Sequence, residues 1–301
     1  KEDLKKLMID IFSRRLRSDF PVACLLSGGI DSSAIATIAK IYNKTDLHCF
    51  SILTDDKNYD ESSRINDLSK KHNIKTNYIK LNQFNNYSFL EKIILDTHYP
   101  LASISYLVYA HLNKAVKNQN LRVLLSGVGG DEIFGGYYTH QMNYLVSNYN
   151  NKKFSKIFNE WKKFTKPLIR SRILSDFNYY RKQLEKKLPS FHEKNEIKKY
   201  LNIKPKTNFR EKKFCKNNFF KNQLSLDLFR DTVPPQILSS DQLSMFFSIE
   251  NRAPFLSHDL YEYSNSLPDD CLINNGFGKA ILRDALSEIL PKSIIEIGRA
   301  H

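Results

Sequence analysis

Apolar positions recur along the start of the chain at helical spacing. Leu4, Leu7, Met8, Ile11, Phe12 and Leu16 share one stripe, with charged residues between them, so the periodicity predicts an amphipathic helix over 3–17. The pattern then changes. Val22–Leu26 is a continuous apolar run between Pro21 and a Ser-Gly-Gly turn, which reads as a short buried strand. Helical spacing returns over Ser32–Tyr42, with Asp31 or Ser32 placed to cap it. Leu47–Leu53 and Thr76–Leu81 predict a second and a third strand around a polar helix at 60–72. Helices follow at about 88–97 and 103–118, and Leu121–Gly127 predicts a fourth strand. Strands alternating with helices require parallel crossovers, which gives an α/β class with a doubly wound parallel sheet.

Beyond this core the periodicity loosens. Residues 139–230 read as mainly helical, rich in Lys, Asn and aromatic residues and punctuated by Pro167, Pro189 and Pro205. From Val233 onward the pattern tightens again into a helical C-terminal portion. The expected organisation is therefore an α/β core over 1–138, a basic helical insertion over 139–230 and a helical segment over 231–301.

Charge sharpens this division. The formal net charge is +14. Between Asn151 and Lys221 there are 22 Lys and Arg against 6 Asp and Glu, so the surplus belongs to one segment and the rest of the chain is near neutral. No apolar run approaches the ~20 residues that cross a bilayer, and the charged N-terminus lacks a signal-peptide core. The four cysteines, Cys24, Cys49, Cys215 and Cys271, match no zinc or redox spacing. A cytoplasmic, reduced protein is expected.

The candidate chemistry lies where the strands end. Ligands of doubly wound sheets bind at the carboxyl ends of their strands. Both glycine-rich stretches stand there: SGGIDSS (Ser27–Ser33) after the first strand and SGVGGDEIFGGYY (Ser126–Tyr138) after the fourth. A Ser-Gly-Gly turn exposes successive backbone N–H groups, and the following helix adds the positive end of its dipole, which together suit phosphate. Ser27, Ser32 and Ser33 add hydroxyl donors. Asp31 would repel bare phosphate, so its presence implies Mg²⁺ between them. The loop has no lysine and no Walker pattern. A grip on pyrophosphate as leaving group, with attack at the α-phosphorus of ATP, suits it better than γ-phosphoryl transfer. Asp131 projects from the second loop and is expected to share the metal with Asp31. Glu132 is placed to support that loop or to approach the substrate.

SGGxDS resembles the pyrophosphate loop of the PP-loop ATP pyrophosphatases. The second loop narrows the resemblance: LLSGVGGDEIFGGY, SMFFSIENRAPFLSH, GKAILRDAL and FSILTDDKNYDESS all resemble asparagine synthetase signatures. The likeness spans roughly 5–145 and 233–291. It implies an adenine nucleotide alpha hydrolase-like fold, ATP with Mg²⁺, and an amide ligase that releases AMP and pyrophosphate. It also implies pyrophosphate contacts at Ser27, Gly28, Gly29, Asp31 and Ser32, AMP contacts at Leu25, Ile52, Ser126 and Gly127, and a charge-neutralising Lys279. Glu250 and Arg252 match the family's ExR, where a buried orienting role and a catalytic place for Glu250 are expected.

The chain also departs from the family pattern. Val128 stands where asparagine synthetases generally carry an acid, Ser257 replaces the Asp of PFLD, and Ser239 and Gln242 replace arginines. These changes bear on the acceptor and the amine more than on adenylation. Nothing like a glutaminase domain precedes Lys1, so ammonia, a separate glutaminase domain or subunit, or a substrate-borne amine is expected to supply nitrogen. The acceptor can be aspartate, a sugar uronic acid of surface polysaccharide synthesis, or the acid of an intramolecular cyclisation like those of lasso-peptide and β-lactam synthetases. A tRNA-modifying PP-loop enzyme is the reading from another class. It would use the basic segment, but it lacks the second signature, so nucleic acid is not the expected partner.

Overall fold

The two central strands, over Val22–Leu25 and Val123–Leu125, are packed on both sides, and the reason is visible in how their residues alternate between two apolar clusters. Val22, Cys24, Val123 and Leu125 belong to one apolar cluster, while Ala23, Leu25 and Leu124 belong to another. The computed structural model describes residues 1–45, 47–56, 60–80, 86–99, 103, 105–185 and 213–298. Among them are β1 (Val22–Leu25), β2 (His48–Leu53), β3 (Thr76–Lys80), β4 (Val123–Leu125) and β5 (Glu250–Arg252). They form one parallel sheet in the order β3-β2-β1-β4-β5. A sheet covered on both faces reads as short apolar runs rather than apolar–polar alternation, as β1 and β4 do.

The crossovers are α1 (Glu2–Leu16) before β1, α2 (Ile30–Tyr42), α3 (Ser62–His72), then α4 (Asn86–Thr97) and α5 (Ser105–Asn118). Residues of α1, α2 and α3 pack with the first cluster. Leu112 and Val116 of α5 join Phe50, Leu124 and Ile249 in the second. The strand order runs outward from β1 to β3, then returns to place β4 on β1's other side. The β1–β4 junction is therefore the topological switch point, where a crevice opens at the carboxyl rim. The loops after β1 and β4 are the two glycine-rich stretches.

After β4 come α6 (Gly130–Phe134), α7 (Tyr138–Ser147), α8 (Phe154–Phe164), α9 (Arg172–Ser175), α10 (Phe177–Glu185) and α11 (Phe219–Leu226). A satellite core of Met142, Leu145, Trp161, Phe177 and Tyr180 holds α7, α8 and α10 together. Phe158 stacks on both Phe154 and Trp161, at 5.3 and 5.6 Å between centroids. The chain continues through α12 (Val233–Phe246), β5, α13 (His258–Ser266), α14 (Asp269–Leu272), α15 (Ala280–Leu286) and α16 (Lys292–Ile295). Pro189, Pro205 and Leu81 lie outside the described residues, as do 186–212 of the basic segment and Lys57–Tyr59 of the loop after β2.

Two expectations change. The sequence gives no signal for β5, because Glu-Asn-Arg has neither alternation nor β-branching. Its backbone nevertheless pairs with β4 from Val123 to Leu125, and an edge strand needs burial on fewer sides. Neither Asp31 nor Ser32 caps α2; Gly29 stands at the N-cap, and no side chain bonds there. The helix therefore begins two residues earlier than its apolar spacing suggests. Cys24 and Cys49 face each other across β1 and β2, both fully buried. Their mutual hydrogen bond and burial push the Cys24 thiol up, so they act as small apolar side chains.

Phe255 ties the C-terminal part to the core. It is fully buried, meeting Phe12 of α1 at 5.1 Å and Phe134 of α6 at 6.4 Å, both edge to face. Phe255→Ala should cost about 3–5 kcal/mol, read as a lower urea midpoint with an unchanged slope. A loss below about 1 kcal/mol would mean that this junction does not hold the two parts together.

Candidate active site

The two rim loops meet in direct contact. A β-carbon placed on Gly130 would lie 2.4 Å from the Asp31 carboxyl carbon, and one on Gly127 would lie 3.0 Å from the Asp31 β-carbon. Gly129 adopts φ +97, and a β-carbon there would sit 2.4 Å from Leu256. Glycine is thus required on the second loop so that the acid of the first can lie against its backbone. Within the first loop the Ser32 hydroxyl accepts from the Ser27 N–H at 3.1 Å and lies 3.1 Å from the Ser27 hydroxyl. The Ser27 hydroxyl also accepts from the Gly29 N–H at 3.3 Å. Gly28 takes φ +64, and Glu61 and Arg64 of the segment after β2 pack over it.

At the contact sits a buried ion triad. Lys279 Nζ lies 2.6 Å from Asp31 Oδ2 and 2.8 Å from Asp131 Oδ1. The lysine is 5 % exposed. It stands at the start of α15 with φ +55, in the left-handed region. This tight fit depends on Gly136, whose added β-carbon would fall 2.3 Å from Lys279 Cε. Burial works against the Lys279 ammonium, but the carboxylates of Asp31 and Asp131 outweigh it and hold its pKa above the usual value. Burial raises the Asp31 carboxyl to about 6 against the pull of Lys279, and Asp131 adds to the rise. Arg283 of α15 is lowered to about 10 by burial, with both acids pulling the other way.

Glu132 does not join the triad. It is 2 % exposed and accepts from the Tyr137 phenol at 2.6 Å. Burial raises its pKa and, with the charge of Glu132, that of Tyr137. Behind them the Tyr137 N–H donates to His140 Nδ1 at 3.3 Å. The buried His140 therefore carries its proton on Nε2, which lies 2.9 Å from Asp227 Oδ2. Sequence spacing does not suggest Tyr137, His140, Asp227 or Arg283, because their partners lie on other elements.

The remaining sequence candidates divide. Leu25 ends β1 and Ile52 lies in the neighbouring β2; Ser126 and Gly127 open the β4 loop. The N–H of the buried Ser126 donates to the Arg252 carbonyl at 2.9 Å, while its hydroxyl has no partner. Leu25, Ser126 and Gly127 thus stand at strand ends beside the switch point, while Ile52 lies one strand away, on β2. Glu250 is not at the rim. Its side chain is 60 % exposed and pairs with Arg252 at 2.7 Å, while Arg252 also donates to the Arg15 and Arg17 carbonyls. The expected buried orienting role is not found. The polar β5 is an edge strand, and Glu250 pairs in register with Val123 at the start of β4, away from the rim. Val128 is half-buried at the tip of the second loop.

The asparagine synthase family pattern matches residues 3–298. The chain belongs to the asparagine synthase family. Within it, asparagine synthetase [glutamine-hydrolyzing] 1 of Bacillus subtilis (strain 168) is 25 % identical over 314 residues, which cover 98 % of this chain and 48 % of that protein. Asparagine synthetase [glutamine-hydrolyzing] 3 of the same organism is 28 % identical, covering 97 % and 46 %. Amidase chyE of Penicillium rubens is 25 % identical, covering 99 % and 51 %. The chain spans about half the length of these asparagine synthase relatives. Among solved structures, a U34-tRNA thiolase from Methanococcus maripaludis overlays at a TM-score of 0.33 and 14 % identity, over 91 % of this chain and 84 % of that one, too loosely to bear on function.

The triad has a consequence for stability. An acid whose pKa rises on folding holds its proton more tightly in the folded chain. Stability from Asp31 is therefore full at low pH and falls as pH climbs from 3.8 to about 6. The nucleotide-free protein should lose on the order of 2–3 kcal/mol over that window, seen by urea denaturation at stepped pH. Glu61 and Glu132, raised by burial in the same direction, leave a residual slope. Asp31→Asn should remove the larger share; an unchanged slope would show that the strain lies elsewhere.

Proposed function

We propose that the protein is an ATP-dependent amide ligase that activates a carboxylate as its acyl-adenylate. Support comes above all from one observation: a buried lysine bridges two acids, one from each of the loops that meet at the sheet's switch point. Family membership and relatives named as synthetases support the same reading.

Asp31 Oδ1 is buried with no hydrogen-bond partner, and one lysine faces two carboxylates. A hard cation fits this shortage of positive charge, because Mg²⁺ takes one or two carboxylates and completes its shell with phosphate and water. Asp31 and Asp131 would hold it, and it would neutralise charge on the pyrophosphate. The other roles fall to the chain. Ser27, Ser32 and the Gly28–Gly29 backbone orient the β- and γ-phosphates against the start of α2. Leu25 and Ile52 offer the adenine a strand-end edge, with Ser126 and Gly127 beside the ribose and α-phosphate. The Lys279 ammonium, held protonated by its two acids, offsets the negative charge that builds on the α-phosphoryl oxygens as the acceptor carboxylate attacks and pyrophosphate leaves. Glu132, bonded to Tyr137, supports the second loop.

Attack on the acyl carbon then expels AMP and forms the amide. Val128 accepts no proton, so the proton that the attacking amine sheds as the amide forms passes to another group or to the departing AMP. The departures at Val128, Ser239 and Gln242 leave aspartate as one acceptor among several, with uronic acids and intramolecular cyclisation beside it. Ser239 is buried with its hydroxyl unpartnered, and Gln242 Oε1 is likewise buried without a partner. These orphaned groups favour an acceptor that differs from one gripped by two arginines. The Bacillus relatives are named as glutamine-hydrolyzing, which favours ammonia from glutamine as the nitrogen source for an external acceptor, whereas a cyclisation would use an amine borne by the substrate.

A panel of carboxylates with ATP, Mg²⁺ and ammonia should identify one acid that drives AMP release and exchange of labelled pyrophosphate into ATP. ADP as the spent nucleotide would sink the reading. Lys279→Met should lower adenylation by about 10²–10³, with ATP binding weakened far less.

A further inference from the structure

Residues 161–175, WKKFTKPLIRSRILS, carry five cations and no acid. Lys162, Lys163, Lys166, Arg170 and Arg172 are all exposed. Three of the lysines are held over aromatic faces: Lys162 over Phe158 at 4.5 Å, Lys163 over Phe164 at 4.9 Å and Lys166 over Trp161 at 5.9 Å. Stacking of this kind fixes the stems and leaves the ammonium groups at the surface. Amid the cations two aliphatic side chains point outward, Leu168 at 36 % and Ile173 at 41 % exposure.

This finger is anchored to the site. The fully buried Thr165 donates its hydroxyl proton to the Gly276 carbonyl at 3.1 Å. Gly276 has φ +75, and a β-carbon on it would lie 2.6 Å from Phe164 Cβ. Three residues later the same turn delivers Lys279. On the other side, the charge of Arg170 reaches Tyr138, next to Tyr137.

We propose that residues 161–175 form a docking surface for an anionic lipid bilayer. The choice of partner rests on what is exposed. Surfaces that grip single-stranded nucleic acid offer aromatic rings to the bases, whereas here Trp161 is buried at 4 % exposure and the rings carry lysines. Aliphatic side chains framed by Lys and Arg, with no acid in the stretch between Glu160 and Asp176, match the interfacial pattern in which apolar groups enter the headgroup boundary and cations meet anionic lipid. No helix among the described residues is long and apolar enough to cross a membrane, so the contact is peripheral. On the amide-ligase reading above, on which only this clause rests, it brings the Lys279 turn to the bilayer and suits an acceptor carboxylate carried on a lipid.

The test is co-sedimentation of the whole chain with vesicles of phosphatidylcholine alone or with about 30 % phosphatidylglycerol. Binding should need the anionic lipid and weaken with salt. Each cation removed should weaken it roughly fivefold, so Lys163→Ala, Lys166→Ala and Arg172→Ala together should cost roughly a hundredfold. Leu168→Asp with Ile173→Asp should lower it at least about tenfold. All five positions are exposed, and unchanged urea midpoints would confirm that these variants fold. Asp31→Asn should bind vesicles like the parent, which separates this surface from the ligase assignment. Equal sedimentation with both vesicle types would overturn the proposal. So would binding that the aliphatic substitutions leave untouched while RNA competes it away, which would mark a nucleic-acid face.

Discussion

One buried ammonium between two carboxylates organises this molecule. Lys279 satisfies Asp31 and Asp131 at once, and a charged group with so little exposure persists only when paired. Much of the surrounding architecture serves that pairing. β1 and β4 must be neighbours so that their loops share a rim. Gly130 and Gly136 must lack side chains so that the acids and the lysine stem can close on one another. Even the left-handed backbone at Lys279 follows, since the turn must aim the amine inward just before α15 begins. The triad remains one positive charge short, and the buried, unpartnered Asp31 Oδ1 shows where that deficit is concentrated.

The frame of the sheet was legible because its causes are local. Val22–Leu25 and Val123–Leu125 are apolar runs bounded by turn residues, and each glycine-rich loop advertises its own backbone chemistry. Asp31 and Asp131 could be paired from sequence because both stand at strand ends, and strand ends converge. Lys279 was harder. A lysine beside a glycine reads as solvated charge, and its burial comes from acids that are distant in sequence. The motif resemblance, rather than its spacing, singled it out.

What stayed hidden depends on tertiary partners. β5 has no pattern of its own and exists because β4 offers an unpaired edge. Glu250 and Arg252 match a family motif, yet Arg252 is engaged by the carbonyls at the end of α1 and Glu250, paired with it, is left exposed. The Glu132–Tyr137 bond joins residues five apart, but the two sit on different elements. The His140–Asp227 pair spans 87 positions and leaves no trace in spacing. In the basic segment, composition showed the charge; only coordinates show that aromatic rings, not acids, hold several of its lysines in place.

Asp31 and Lys279 stand 248 positions apart, and β5 also arrives late in the chain. A growing polypeptide therefore exposes the two loop acids long before their counter-charge has been synthesised. The rim's charge balance is therefore completed only once the Lys279 turn has been made, and a product truncated before it would hold the two acids without their shared counter-charge.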